Sequence, residues 1–391
     1  MVNDESAFET LRRLLETRGV DAALDELERH LRQQGQYHEL FEVLKMKARR
    51  SAGLPLIYSD TPDELSAEQR DRLENGLLAA CREVGVLLIR SGAVRQGWMY
   101  LRPVGDNQLA RQVLAQVEVN SSNVEELVEV LVHEGVDIER GFRLVLEHYG
   151  TCSAITTYDS VIAQKSKKER QIAARLLVEQ LHRELLASLR HDIQRQQGTP
   201  PTEQTIAELV AERDWLFGEF AYHVDTTHLA SVMRCARVVD DPKTLELARD
   251  MTEYGRRLNR QFQYRSEEPF GDTYPAHALF FDALLGRRVE EALAYFRHKA
   301  EQLSVEEHGL LPRETWVDLL ARIGRPGEAL KEALRLLVDQ GPTSGVAPPL
   351  WELGMLAGDF TPIVDHFRQA GNLLGFATAL LCAHQQAGGA A

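Results

Sequence analysis

The feature that most constrains this chain is the spacing of its apolar residues, which recur every three and four positions along nearly the whole sequence. Segments such as FETLRRLLETRG (8–19), ALDELERHLRQQG (23–35) and LARQVLAQVEV (109–119) follow this rule. One face of an α-helix repeats about every 3.6 residues, so each segment predicts an amphipathic helix. Short β-branched runs at 84–89 and 128–132 continue the same spacing and have no hairpin turn beside them. We therefore predict an all-α fold without strands.

Short turns that contain Gly, Asp or Pro separate the predicted helices and indicate that consecutive helices pack antiparallel as hairpins. Asp241 followed by Pro242 is typical, because the carboxylate can cap a helix whose first turn tolerates a proline. Four helix-turn-helix units align on a turn glycine, namely Gly92, Gly286, Gly324 and Gly358. The last three glycines lie 38 and 34 residues apart, which is within the range of two-helix repeats.

In three of these units a small or apolar residue follows the turn glycine by five positions: Gly97, Ala329 and Ile363. With this pattern the sequence resembles the tetratricopeptide-repeat superfamily over residues 66–104 and 205–386, although the family's aromatic and Leu-Gly signature is incomplete in every unit. The resemblance implies a right-handed superhelical α-solenoid of antiparallel helical hairpins with a concave, partner-binding surface. No ligand-binding residue of the family can be matched here.

Three longer breaks interrupt the helices, at 53–66, 198–201 and 341–349. The second follows a long charged segment and is the strongest candidate boundary. We predict an N-terminal helical repeat region (1–160), a long charged helix with a linker (161–200) and a C-terminal tetratricopeptide-like repeat region (201–391).

Composition excludes several classes of function. The formal net charge is -14, which repels phosphate backbones and anionic lipid headgroups, so neither nucleic acid nor a membrane surface is the expected partner. The four cysteines lie far apart without a C-x-x-C pair, and no secretory leader or membrane-spanning run is recognisable. We therefore expect a cytoplasmic protein.

The segment YHVDTTHLASVMR (222–234) concentrates three residues that can bind metals, His223, Asp225 and His228. On a continuous helix the two histidines would point about 140° apart, so they could share an ion only if the helix breaks near Asp225. Asp225 acting as the N-cap of a helix that begins at Thr226 predicts the same break without any metal. The metal interpretation also needs a further ligand, for which His277 in the next hairpin is the candidate.

A second candidate site follows in YGRRLNRQFQYR (254–265), where arginines alternate with aromatic rings. Its candidate anion- or partner-binding residues are Arg256, Arg257, Arg260, Tyr264 and Arg265. Guanidinium groups beside rings can hold a carboxylate or phosphate. The alternative is a solvated helix face whose arginines pair with Glu267 and Glu268. The connection at 263–275 is long for a repeat turn and could form a lid.

Two weaker signals remain. Cys152 with His148 four residues earlier could form a nucleophile and its base, whereas helix stop and start chemistry around Gly150 explains the same residues. The basic run KSKKER (165–170) is a solvated helix start or an anion contact. No large-cofactor motif such as G-x-G-x-x-G or Walker A occurs.

The leading hypothesis is a scaffold that binds another protein or a peptide on its concave face and needs no cofactor. The alternative is an enzyme built on the same solenoid, either metal-dependent or acting by acid-base chemistry. It would use the His/Asp cluster, with a divalent metal in the first case, and the arginine-aromatic segment to orient an anionic substrate.

Overall fold

The computed structural model describes residues 4–58, 65–338, 340 and 343–389. All regular structure within these residues is helical, and the described chain contains no strand, so the predicted all-α class is confirmed. Parts of the predicted breaks at 53–66 and 341–349 lie outside the described residues. None of the helices in this part of the chain combines the length and the apolarity needed to cross a membrane.

The chain divides into two compact units, Met1–His148 and Tyr149–Ala391. The helices of the first unit are α1 (Asp4–Arg18), α2 (Val20–Gln34), α3 (Tyr37–Ser51), α4 (Ala67–Arg90), α5 (Val94–Leu101), α6 (Asn107–Ala115) and α7 (Val124–Val128). Helix α8 (Ile138–Ser160) runs across the division and is kinked at Gly150, whose φ is 78°. The division therefore falls beside this kink, whereas the sequence prediction placed boundaries at 160 and 200.

In the first unit each of α2, α3, α4 and α5 packs against the helix before it. Gly92 turns the chain between α4 and α5 with a φ of 95°. Five residues after Gly92, a Cβ atom added to Gly97 would lie 2.7 Å from the carbonyl oxygen of Gly85 and 2.5 Å from the side chain of Ile89. The small residue that the repeat pattern places five positions after the turn is thus required because the two helix backbones approach each other closely.

The second unit contains twelve further α-helices within its described residues. They are α9 (Lys167–Gln197), α10 (Ile206–Val210), α11 (Thr226–Ala236), α12 (Pro242–Arg257), α13 (Thr273–Leu284), α14 (Val289–Gln302), α15 (Val305–His308), α16 (Leu311–Arg322), α17 (Pro326–Leu336), α18 (Leu350–Ala357), α19 (Thr361–Gln369) and α20 (Leu373–Gly389). The predicted turn glycines Gly286, Gly324 and Gly358 lie between consecutive helices and all have positive φ.

Helix α9 is the centre of the first half of this unit, because α10, α11 and α12 all pack against it. It begins with a capping box in which Ser166 and Glu169 each accept a backbone N–H of the other. Consecutive buried residues at Leu176, Leu177 and Val178 cover more than one helix face, which is typical of a helix surrounded by others. The helix that the sequence marked as charged is therefore largely a core element.

Candidate anion-binding pocket

The structure gives Asp225 the capping role. Its carboxylate accepts the backbone N–H of Thr227 at 2.8 Å and that of His228 at 3.3 Å, and α11 begins at Thr226. These bonds lower the pKa of Asp225, the largest effect coming from the hydroxyl of Thr227. Helix α11 begins where the sequence predicts, and the bonds of a helix cap account for its start. No helix leads up to Asp225, because residues 218–225 are not helical.

His223 lies in a buried contact between α9 and α12. Its Nδ1 is 3.2 Å from the hydroxyl of Tyr254 and its Nε2 is 3.4 Å from Asp192. The Tyr254 hydroxyl also accepts the backbone N–H of His223 at 2.8 Å. Burial lowers the pKa of His223, an effect that Asp192 opposes. Both ring nitrogens thus have partners outside the predicted ligand set.

His277 has separate partners on α13 and α11. Its Nδ1 is 2.5 Å from the carbonyl oxygen of Thr273, and its Nε2 is 2.9 Å from Nε of Arg237. The carbonyl can only accept and the guanidinium can only donate, so His277 must carry its proton on Nδ1. Burial and the Arg237 charge hold its pKa well below the ordinary value, so the ring is neutral.

Three of the four proposed metal ligands, Asp225, His223 and His277, are therefore engaged elsewhere, and the fourth, His228, is half-buried on α11. Nowhere in the described chain do three His, Cys, Asp or Glu side chains form a group that could hold a metal ion. His148 and Cys152 are exposed on either side of the Gly150 kink, in different units.

Two arginines of the arginine-aromatic segment have acidic partners outside its predicted set. Arg256 pairs with Glu253 at 3.3 Å, whereas Arg257 pairs with Asp214 and lies over the ring of Phe217 at 4.9 Å. Arg260, Tyr264 and Arg265 are exposed.

The acidic partners expected for these arginines are engaged elsewhere. Glu267 pairs with Arg237 at 3.3 Å, and Glu268 pairs with Lys299 at 2.8 Å. The predicted pairing of the segment with these two glutamates is therefore wrong, because the 263–272 connection turns them toward α11 and α14.

That connection leads to a cavity of about 350 Å³ inside the second unit, here called the cationic pocket. Its described lining comes from the end of α8, Ala163, the start of α9, the end of α11 and the residues just after it, the 263–272 connection, α13, α16 and residues 344–346. The lining holds five basic side chains, Lys167, Arg170, Arg234, Arg237 and Arg322. Only Glu267 and Asp318 are acidic among the described lining residues. In a chain of net charge -14, this pocket is a concentrated region of positive charge.

Arg237 is held by three different side chains. Its Nε donates to neutral His277, its Nη1 lies 3.3 Å from Glu267, and its guanidinium stacks on Phe270 at 3.9 Å from the ring centroid. Its Nη2 is buried and has no hydrogen-bond partner among the described residues. Burial lowers the pKa of Arg237 to about 10 while Glu267 opposes the shift, so the side chain is positive at neutral pH.

Arg322 and Asp318 form the buried floor of the pocket. Their side chains are each 7% exposed and lie 3.2 Å apart, and Arg322 also donates to the carbonyl of Arg237 at 2.5 Å and to that of Val239. The guanidinium thus satisfies carbonyl groups in the turn that follows α11. Burial raises the pKa of Asp318, an effect that the Arg322 charge opposes.

The remaining basic residues surround Arg237. Arg234 pairs with Asp159 at 2.9 Å, and Lys167 is 3.9 Å from Asp240. Arg170 donates from Nη2 to the carbonyl of Gly345 at 3.4 Å, while its Nε is buried without a partner in the described structure. The buried hydroxyl of Thr315 likewise has no partner among those residues. Unsatisfied donors are costly in a folded protein. Three of those in the described chain, on Arg237, Arg170 and Thr315, line this cavity, while others, such as those on Arg190, Arg213 and Arg313, lie outside it.

Nucleophilic chemistry has little support in this pocket. Cys235 is part of the lining, and burial raises the pKa of its thiol to about 12. Burial also raises the pKa of Tyr158. Both groups are therefore neutral at neutral pH, whereas a thiolate is the reactive form of cysteine. The basic side chains of the lining would favour an anionic ligand over covalent chemistry.

Comparison of the chain with protein-family models, curated proteins and solved structures gives no match. Functional conclusions therefore depend on the pocket itself.

Sequence analysis identified the surroundings of the pocket and missed its central residue. The 263–275 connection, His277 and the KSKKER run all contribute to it or contact its lining. Arg237 was overlooked, although Arg234 and Arg237 are three residues apart at the end of α11, a spacing that places two charges on one helix face.

Proposed function

We propose that this protein is a binding scaffold whose cationic pocket receives a carboxylate carried by a partner protein or peptide. The observation that carries the proposal is the buried, partnerless Nη2 of Arg237 on a guanidinium held by His277, Glu267 and Phe270. A side chain fixed in this way loses little conformational freedom when it binds, which favours recognition. Arginine is also the residue best suited to carboxylate geometry.

The charge balance of the pocket favours a carboxylate over a phosphate. Glu267 already pairs with Arg237, and Asp318 with Arg322. Two further carboxylates reduce the excess of positive charge again: Asp159 pairs with Arg234, and Asp240 lies 2.8 Å from Arg322 and 3.9 Å from Lys167. A singly charged group matches the donors that remain free on Arg237 and Arg170, whereas a doubly charged phosphate adds repulsion from the nearby carboxylates.

The solenoid architecture is part of the same proposal. Besides packing within hairpins, α14 packs against α16 and α17 against α19, so successive hairpins of the second unit contact one another. This pattern supports a stack of tetratricopeptide-like hairpins, an architecture suited to presenting a continuous surface to a protein or peptide. The pocket would then be the part of this surface that recognises the acidic residue.

The proposal is tested with N-acetylglutamate amide as a mimic of one acidic residue, N-acetylglutamine amide as its neutral counterpart, and inorganic phosphate. Binding to the native state raises the melting temperature of the protein. We expect a dose-dependent rise with the glutamate compound alone, abolished in Arg237→Gln and retained in Arg256→Gln, an exposed arginine outside the pocket. Circular dichroism verifies that both variants keep the helicity of the wild type.

Three results would contradict the proposal: equal stabilisation by both amides, stabilisation that survives in Arg237→Gln, or no stabilisation at all. A larger rise with phosphate than with the glutamate compound would assign the pocket to a phosphorylated ligand instead.

A further inference from the structure

A second cavity, of about 480 Å³, adjoins the cationic pocket. The two cavities share four lining residues, Lys167, Arg170, Gly345 and Val346. Most of the remaining described lining of the second cavity is apolar and includes Ala333, Leu337, Ala347, Pro348, Pro349 and Leu350. We call this cavity the proline annex.

The wall between the two cavities is firmly held. Glu314 on α16 is completely buried, and its carboxylate accepts the backbone N–H and the hydroxyl of Ser344 at 3.2 and 2.5 Å and the N–H of Gly345 at 3.1 Å. From the other side, Arg170 donates to the Gly345 carbonyl at 3.4 Å. Two consecutive prolines then follow, and each fixes its own φ. The annex is thus formed before any ligand arrives.

The chemistry of the annex differs from that of the pocket. Ala333, Leu337 and Ala347 are buried and form an apolar floor, and Val346 at the shared edge is 37% exposed. Lys167 and Arg170 contribute positive charge where the two cavities meet. A ligand that fills both cavities therefore needs an anionic group next to an aliphatic group.

We propose, building on the function above, that the cationic pocket and the proline annex together recognise an extended segment of a partner protein. This segment carries an acidic residue with an aliphatic residue a few positions before or after it. Charge complementarity with Arg237 and Arg170 selects the acidic residue. The annex selects the aliphatic one, because burying a leucine-sized side chain is favourable. An extended segment advances only about 3.3 Å per residue, so neighbouring side chains can enter adjoining cavities.

The test uses fluorescently labelled nonapeptides on an alanine-serine background, each with one Glu and one Leu separated by one to four residues in either order. Matched peptides replace Leu by Ser or Glu by Gln, and fluorescence anisotropy gives the dissociation constants. At the best separation we expect the Glu and Leu peptide to bind about tenfold more tightly than its Leu-to-Ser counterpart, the gain expected from burying one aliphatic side chain.

The protein variant that isolates the annex is Ala347→Asp, because Ala347 lines the annex and not the pocket. We expect this change to reduce the advantage of Leu over Ser to less than twofold, while the peptide with Glu still binds more tightly than its Gln counterpart. The remaining preference for Glu shows that the pocket is intact. Met355→Asp is the matched control, since Met355 is 60% exposed and lines neither cavity.

The outcomes separate the two proposals. If Glu is preferred over Gln through Arg237 but no separation gives an advantage to Leu, the annex proposal is wrong and the proposed function stands. A Leu advantage that persists in Ala347→Asp places the apolar contact elsewhere and also overturns the annex proposal. If no peptide shows a preference for Glu over Gln, the proposed function fails and the annex proposal fails with it.

Discussion

Replacing Arg322 by Met tests the buried ion pair beneath the pocket. The substitution keeps an unbranched side chain of similar length, so it mainly removes charge and hydrogen bonds. Asp318 then loses its partner at 3.2 Å, and the carbonyls of Arg237 and Val239 lose the guanidinium donor. Breaking a buried pair in this way costs about 3–5 kcal/mol, because an uncompensated carboxylate stays in the interior.

The same pair predicts how that cost depends on pH. Burial raises the pKa of Asp318 in the folded protein above the unfolded value, so the folded state holds the proton more strongly. Stability therefore falls as pH rises from the unfolded pKa to the folded one. Without Arg322 the largest opposing charge is gone and only that of Lys167 remains, so the folded pKa rises further. The destabilisation caused by Arg322→Met should thus be smaller at pH 5 than at pH 7.5.

Urea unfolding followed by circular dichroism measures the effect, and the transitions of the two units are fitted separately because a single two-state fit would be unjustified. Adding Asp318→Asn to Arg322→Met should recover part of the loss and remove most of its pH dependence, since the orphaned carboxylate is gone. Arg325→Met is the control: its pair with Glu290 is exposed, so its loss should cost less than about 1 kcal/mol. A cost for Arg322→Met that equals the control at both pH values would refute this reasoning.

Three further predictions concern local features. Asp225→Ala removes the cap of α11 and should lower the free energy of unfolding by about 1 kcal/mol in urea titrations; no change would contradict the capping role. Gly97→Ala forces a Cβ against a backbone oxygen and should cost about 1–3 kcal/mol of unfolding free energy. A Cβ on Gly327 has free space, so Gly327→Ala should be neutral or stabilising. Equal effects of the two substitutions in thermal melts would refute the close approach of α4 and α5. In the native protein an aromatic disulfide reagent should modify the exposed Cys152 and leave the buried Cys235 unmodified. Mass spectrometry of the labelled peptides measures this difference, and labelling of Cys235 would contradict its burial.

Local sequence patterns predicted the helices, the turn glycines and the Asp225 cap because each depends on residues close together in the chain. Gly324, for example, turns the chain between α16 and α17 through its own backbone conformation. Asp225 accepts hydrogen bonds from residues two and three positions later. Periodicity and capping rules include these interactions directly.

The pocket could not be predicted in the same way because its parts come from distant segments. Arg237 is positioned by His277, and the carbonyl of Arg237 is held by Arg322. Sequence analysis named His277 as the candidate further metal ligand from the next hairpin, but its ring accepts a hydrogen bond from Arg237. No local pattern indicates which of many arginines will have its partners on three sides and a free nitrogen on the fourth.

The contrast between pocket and chain predicts how binding of the acidic peptide responds to salt. The net charge of -14 repels an acidic ligand at long range, and salt weakens this repulsion because charges more than about 10 Å apart are largely screened at 0.1 M. Direct contact with buried guanidinium groups is screened much less. A peptide with one Glu should therefore bind almost equally at 20 and 300 mM NaCl. Adding three Asp residues beyond the pocket should weaken binding at 20 mM, and 300 mM NaCl should abolish that difference. Tighter binding of the more acidic peptide at low salt would mean that a broad basic surface, and not the cationic pocket, binds the ligand.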